Sequence, residues 1–194
     1  MYDAYLNYLR KFSSGPFTDD EKELIMQNFT PVRLRKRQYI LQVGDICKKF
    51  AFIVKGAMRM YFLDDEGLEH NVRLGIENWW MGDRGSFIYQ TPSPFHIDAL
   101  EQCDLLCMTL ENANELEKKV PAFRQMKNKL DERNIMANER RLTAAISFTA
   151  EKRYMEFADC YPEFVDRFPQ HVIASYLGIN KDTLSRVKRQ HKLK

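Results

Sequence analysis

The residues best equipped for chemistry stand near the end of the chain, in HVIASYLGINKDTLSRVKRQH over 171–191. Within it, KDTLSRVKRQ (181–190) places two apolar residues, Leu184 and Val187, about one helical turn apart among cations, hydroxyls and one carboxylate. On a helix, Leu184 and Val187 turn inward, and Lys181, Asp182, Ser185 and Arg186 share the opposite face. An outward arginine carries two parallel N–H donors that match the acceptor pair on a guanine edge. Thr183, Lys188 and Arg189 flank that face and suit phosphate oxygens. The chemistry these types support is recognition of double-stranded DNA, with Arg186 as the expected base reader. The plainer reading of each residue is a solvated charge. Charge distribution favours the first: residues 170–194 hold six cations (Lys181, Arg186, Lys188, Arg189, Lys192, Lys194) against Asp182, a net of +5, and the preceding residues carry −2. A basic end on a weakly acidic body points to a polyanionic partner.

Two elements must hold this face. Ile173 and Leu177 lie one turn apart on a first helix, and Ala174 is small where a second helix would cross. Gly178 is free to take the left-handed conformation that ends the first helix. Asn180 is a natural N-cap for the second, whose interior begins at Lys181. With Ile179, Leu184 and Val187 this is the apolar, small and glycine pattern of a DNA-binding helix-turn-helix. A helical hairpin that binds protein is the alternative.

Other chemistry finds little support. Cys47, Cys103, Cys107 and Cys160 lack metal or CxxC spacing. Cys103 and Cys107 share a strand face, which suits a redox pair or, more simply, two small buried hydrophobes. The four histidines are scattered, so no metal site is expected, and His96 reads as an ordinary strand residue. No nucleophile elbow, P-loop or dinucleotide fingerprint is present, so neither an enzyme nor a cofactor is expected. No apolar run of about 18 residues occurs and the start, MYDAYLNYLRKF, has no signal-peptide core; a cytoplasmic protein with no membrane partner is the expectation.

The rest of the chain reads as helices, strands, then helices. Tyr5, Leu6, Leu9 and Phe12 share a helical face that SSGP stops, and Thr18 with Glu21 forms a capping box for a second helix. From Pro31 the period changes to two. VRLRKRQYIL, FAFIVKG, AMRMYFLD, LEHNVRLGI and HIDALEQCDLLCMTL each read as a strand, with turns at Gly44-Asp45, Lys55-Gly56 and Asp65-Glu66-Gly67. Short strands at this spacing predict an antiparallel barrel or roll. ENANELEKKV predicts a short helix, and Pro121 opens a long one with no glycine and no second proline through Ser147. Phe123, Met126, Leu130, Ala137, Leu142 and Ala145 form its approximate apolar seam. A helix of this length exceeds what a small roll covers, so the seam is expected to meet a second copy as a two-stranded coiled coil. SFTA (147–150) marks a break before EKRYMEFADCYPEFVDRF. Of Trp79-Trp80, one is expected in the core and the other at a pocket or surface, because neighbouring strand residues point opposite ways.

Together these features resemble the Crp–Fnr family of bacterial transcription regulators over about residues 20–191. The segments that carry the resemblance are YILQVGDICKKFAFIVKGAMRMYFLDDEGLEH, ENWWMGDRGSF with TPSPFHIDALE, and the tail. The resemblance implies an α+β fold: an antiparallel, cyclic-nucleotide-binding-like jelly roll with N-terminal helices (1–112), a short helix and a long dimerisation helix (113–147), and a helix-turn-helix domain (148–194). It also implies a homodimer that senses a small molecule and acts on DNA, through contact with RNA polymerase or by occluding a promoter. Members that bind cyclic nucleotides hold the ribose with a Gly-Glu pair and the phosphate with a following Arg-Ser or Arg-Thr. Here Gly82-Asp83 replaces the first and, ten positions on, Ser93-Pro94 replaces the second. Serine has no charge for a phosphate and proline no N–H, so cyclic AMP is not the expected effector. The pocket the resemblance implies holds Gly82, Asp83, Arg84, Ser86 and Ser93, with Asn134 and Asn138 from the long helix beside Glu139; Arg84 is the one cation able to stand in for the missing arginine. No cysteine precedes Cys47, so the iron–sulfur cluster of the Fnr branch is not expected. The β-hairpin wing that usually follows the recognition helix is also not expected. The alternative is a ligand-binding or protein-interaction module of the same fold that has lost DNA binding.

Overall fold

The structure is a computed structural model that describes residues 1–192, with side chains through Gln190. The chain divides into two compact units: Met1–Met60 with Leu74–Glu132, and Tyr61–Arg73 with Arg133–Lys194.

The first unit opens with α1 (Tyr2–Leu9), a 3₁₀ turn (Arg10–Phe12) and α2 (Asp19–Gln27). The capping box is formed: the Glu21 N–H donates to Thr18 Oγ1 at 3.2 Å and the Thr18 N–H to Glu21 Oε2 at 2.9 Å. Eight strands follow: β1 (Thr30–Leu34), β2 (Tyr39–Leu41), β3 (Phe50–Lys55), β4 (Met58–Leu63), β5 (Glu69–Gly75), β6 (Trp80–Met81), β7 (His96–Ala99) and β8 (Cys103–Met108). They make two four-stranded sheets, ordered β1-β8-β3-β6 and β2-β7-β4-β5. A short α3 (Arg84–Tyr89) interrupts them, and α4 (Leu110–Lys119) and α5 (Pro121–Ser147) come after. This is an antiparallel β-roll followed by a long helix and further helices, an α+β fold as the resemblance implies.

Two runs that read as single strands are each broken. VRLRKRQYIL divides at Arg37, whose φ is +68°, and HIDALEQCDLLCMTL divides at 100–102. In each case one half joins one sheet and the other half joins the other: β1 pairs with β8, β2 with β7. The corners are tied together by the Arg37 N–H donating to Ala99 O at 2.6 Å and the Ala99 N–H donating to Gln38 O at 3.0 Å. Alternation of apolar residues continues through a corner, so periodicity alone does not reveal it.

The core explains the helices around the roll. Tyr5, Tyr8 and Leu9 of α1, Ile25 of α2, Phe52 of β3, Leu106 of β8 and Leu116 of α4 form one buried cluster. Phe123 and Met126, at the start of α5, belong to this cluster, and Leu130 packs against it. The seam expected from sequence is therefore two surfaces: its first three members serve the roll's core. Farther along, Ile135, Met136, Leu142 and Ile146 are 60%, 53%, 63% and 77% exposed. Ile135, Leu142 and Ile146 recur at spacings of seven and four, one helical stripe.

Cys103 and Cys107 are buried hydrophobes, and burial raises their thiols to about 11 and about 12. Trp80 packs among Tyr5, Phe50 and Phe52, so its role is structural. Gly56 has φ +106°, and a Cβ there would lie 2.6 Å from Gln102 O and 2.9 Å from Cys103 Cα, both backbone atoms. Gly56→Ala is therefore expected to destabilise the protein by about 1–3 kcal/mol or more. Gly15→Ala, with nothing within 4 Å of the added carbon, should stay within about 0.5 kcal/mol of wild type. Urea unfolding of both variants checks this; equal midpoints would show that the Gly56 turn relaxes freely.

Candidate nucleic-acid interface and ligand cassette

In the second unit, α5 ends at Ser147 and α6 (Ala150–Cys160) begins after the Thr149 N-cap, whose Oγ1 accepts from the Lys152 N–H. Then come α7 (Pro162–Arg167), α8 (Gln170–Leu177) and α9 (Lys181–Lys192). Phe157, Tyr161, Phe164, Phe168 and Tyr176 form a chain of ring contacts that holds α6, α7 and α8 together. Gly178 ends α8 with φ +63°, and Asn180 Oδ1 accepts from the Asp182 N–H at 2.7 Å. Val172, Ile173, Ala174, Leu184 and Val187 are buried, and Leu177 and Ile179 are half-buried. Two helices, α8 and α9, thus meet at the Gly178 turn with their apolar residues packed inward.

That packing decides which residues of α9 face out. Lys181, Asp182, Ser185, Arg186 and Arg189 are exposed, and Thr183 and Lys188 are half-buried at the flanks. Among the described residues this face holds three cations and one carboxylate. Ser185 is partly engaged, since its hydroxyl donates to Gln170 Oε1 at 3.3 Å. Asp182 lies in the first turn, where its charge favours the helix terminus. The side chain of Lys192, and Lys194 entirely, lie outside the described residues.

Three residues of this unit were not singled out by sequence. Ser175 on α8 donates to Glu69 O at 2.7 Å and accepts from the Asn71 N–H at 2.9 Å, so α8 holds the hairpin of β4 and β5. Arg141 donates to Val72 O and stacks its guanidinium 4.6 Å over the Tyr176 ring. Arg153 donates to carbonyls of both α5 and α8. A serine and two arginines on polar faces carry no pattern that separates them from solvated residues.

Residues 82–93 of the implied pocket, its cassette, lie in the first unit. Gly82 sits under Phe50, where a Cβ would meet the ring at 2.4 Å. Asp83 and Ser93 are 8% and 2% exposed and bonded to each other: Ser93 Oγ donates to Asp83 Oδ2 at 2.7 Å. Asp83 Oδ1 accepts from the Gly85 N–H at 3.0 Å, and Ser93 Oγ from the Phe95 N–H at 3.1 Å. Ser86 Oγ donates to Thr91 O at 2.5 Å and accepts from the Cys47 N–H at 2.8 Å. Arg84 forms a two-pronged pair with Asp131 on α5, with Nη2 donating to Oδ2 at 2.6 Å, and this pairing raises the guanidinium further above its ordinary value. The cassette residues are thus brought together, but each polar group already has a partner within the protein. Arg84, the expected substitute for a phosphate-binding arginine, has its charge met by a carboxylate. Asn134 and Asn138 are exposed on α5 and belong to the other unit. A surface cavity of about 810 Å³ opens at the 33–38 turn, lined by Arg33, Arg35, Lys36 and Arg37 with Gln38 and Gln102, and no cassette residue lines it. Among the described residues no group of three histidine, cysteine or acidic side chains is placed to hold a metal, and no helix is long and apolar enough to cross a membrane.

Residues 31–119 match the cyclic nucleotide-binding domain family. No curated protein matches the chain at a significant level. Several solved structures share its fold. The c-di-GMP responsive global regulator CLP of Xanthomonas campestris is 13% identical, with 91% of this chain and 92% of that one covered and a TM-score of 0.66. FixK2 from Bradyrhizobium japonicum is 17% identical, with 84% and 83% covered and a TM-score of 0.68. A protein of Eubacterium rectale described as a transcriptional regulator of the crp/fnr family is 18% identical, with 91% and 84% covered and a TM-score of 0.64. The chain thus shares its fold with these solved structures, and its residues 31–119 match the cyclic nucleotide-binding domain.

Proposed function

We propose that the chain is a DNA-binding transcription regulator of the Crp–Fnr type that acts in the cytoplasm as a homodimer. The observation that carries this reading is the outward face of α9, where Lys181, Arg186 and Arg189 stand exposed on a helix whose other side is fixed by Leu184 and Val187. Arg186 is the base reader, with Lys181, Asp182 and Ser185 beside it. Thr183, Lys188 and Arg189 meet phosphates. The exposed stripe of Ile135, Leu142 and Ile146 joins two copies, since an apolar stripe along a long helix is the surface a second helix covers. A dimer then offers two reading helices to a palindrome with half-sites about one helical turn apart. Residues 1–112 form the sensor, 113–147 the connector and 148–194 the reader. RNA polymerase is a further partner by family resemblance.

The sensor does not take cyclic AMP through its cassette. A ribose or phosphate would have to displace the Asp83–Ser93 hydrogen bond and the Arg84–Asp131 pair, and no other cation of the cassette replaces them. Its effector, if one binds, has another chemistry. Calorimetric titration with cyclic AMP is expected to give no saturable binding tighter than about 10 μM; tighter binding would mean that the cassette opens.

Two further measurements test the reading. Leu142→Glu should weaken dimer association by at least about tenfold in sedimentation velocity, while the far-ultraviolet spectrum stays that of a folded protein; an unchanged dimer places the interface elsewhere. For DNA, binding is measured against salt on a selected operator and on random duplex. Arg186→Ala should cost about 1–3 kcal/mol on the operator and little on random duplex. Arg189→Ala should weaken both alike and lower the salt slope by about one. Discrimination that survives Arg186→Ala makes α9 a helix that grips without reading. Binding that neither variant changes at low salt favours the protein-interaction alternative.

A further inference from the structure

Neither α5 nor α8 has a basic residue in its last turn. The last carbonyls of a helix lack intrahelical donors and carry partial negative charge. For both helices the missing cation comes from one residue of α6, Arg153. Its Nε–H is directed at Ala144 O and Phe148 O, each at 3.1 Å, and its Nη2 donates to Ala145 O at 2.7 Å. Its Nη1 donates to Leu177 O and Gly178 O, each at 3.3 Å. One planar group thus holds the end of the long helix and the turn of the helix-turn-helix at the same time.

Geometry gives this bond set a consequence beyond stability. The guanidinium is a rigid fork with donors in fixed directions. Carbonyls that bond to both of its sides are held at a fixed distance and angle. α9 is fixed on α8 through Leu184 and Val187, so the direction of the reading helix follows that of α8. Only Phe148 and Thr149 separate α5 from α6, and a two-residue link leaves backbone rotations that Arg153 removes. The Arg141 contact to Tyr176 is a stacked ion, tolerant of sliding.

We infer that Arg153 is a positioning residue that sets the spacing between the two reading helices, and so the half-site spacing the dimer selects. This rests on the dimeric, DNA-binding reading above. If two copies join along α5, the separation of their α9 helices depends on the angle at which each α8–α9 pair leaves its α5.

The experiment compares wild type, Arg153→Gln and Arg153→Lys on palindromes whose half-sites are moved apart by about one to three base pairs, and on a single half-site. In parallel, spin labels at positions 139 and 189, in a Cys160→Ser background, report the distance between α5 and α9 within one protomer without DNA. Mixing labelled with excess unlabelled chains removes distances between protomers. Wild type is expected to lose at least about tenfold in affinity for a two-base-pair displacement and to give one narrow distance distribution. Both variants should keep half-site affinity within about threefold, lose most of the spacing discrimination and give a broadened distribution. Discrimination and distribution that remain as in wild type in either folded variant overturn the inference, as does a parallel loss on every duplex, which marks a merely stabilising residue. If wild type binds no duplex, the DNA-binding reading fails by itself, and the distance distributions decide the role of Arg153: unchanged widths refute it.

Discussion

The structure depends on the length of one helix. At 27 residues α5 spans about 40 Å, several times what its buried residues occupy. Ala122, Phe123 and Met126 are consumed by the roll's core, and residues 132–140 are exposed throughout. A helix so long cannot be stabilised by packing along its whole length within one chain. It is helped by good ends and good helix formers: Pro121 at the start, the absence of glycine and the arginine bonded to its last carbonyls. Its leftover apolar stripe, Ile135, Leu142 and Ile146, stays exposed.

The cassette shows a different constraint, the cost of burying a polar group without a partner. In a roll built to hold an anionic ligand, the ligand itself satisfies the buried donors. Here the Asp83 carboxylate, the Ser93 and Ser86 hydroxyls and the Arg84 guanidinium are satisfied by one another, by backbone groups and by Asp131. Asp83 and Ser93 act as a pair: the short carboxylate accepts from the serine ten positions on. The polar groups of the cassette therefore need no ligand to satisfy them.

Much of this was legible in residue order. The capping box at Thr18, the turn at Asp65-Glu66-Gly67, Pro121 as a helix start, Asn180 as a cap and Gly178 as a left-handed terminator are local devices, and local devices act through neighbours in sequence. Asp64 illustrates this: its carboxylate accepts from the Glu66 and Leu68 N–H groups, and the His70 ring bonded to it holds its carboxyl below the usual range. The inward and outward faces of α9 followed from periodicity alone, because Leu184 and Val187 are apolar in a charged segment. Cys103 and Cys107 are buried and Trp80 packs against the core, as small or aromatic residues on strands most simply do.

What sequence alone determined was therefore the capped ends of helices, the tight turns and the sided character of α9, since each is set by backbone geometry and by spacing of apolar residues within one turn. What only the tertiary structure decided was how distant residues divide the work. The strand corners at Arg37 and 100–102 exist because two sheets share two long runs, and alternation continues unbroken through both. The seam of α5 split into a core part and an exposed part because burial depends on what the roll covers. Arg84, Arg153 and Ser175 acquired partners 47, 25 and 106 positions away. A hydrogen bond over such a separation leaves no periodic trace in the chain, because its geometry is created by packing and not by the residues that flank it.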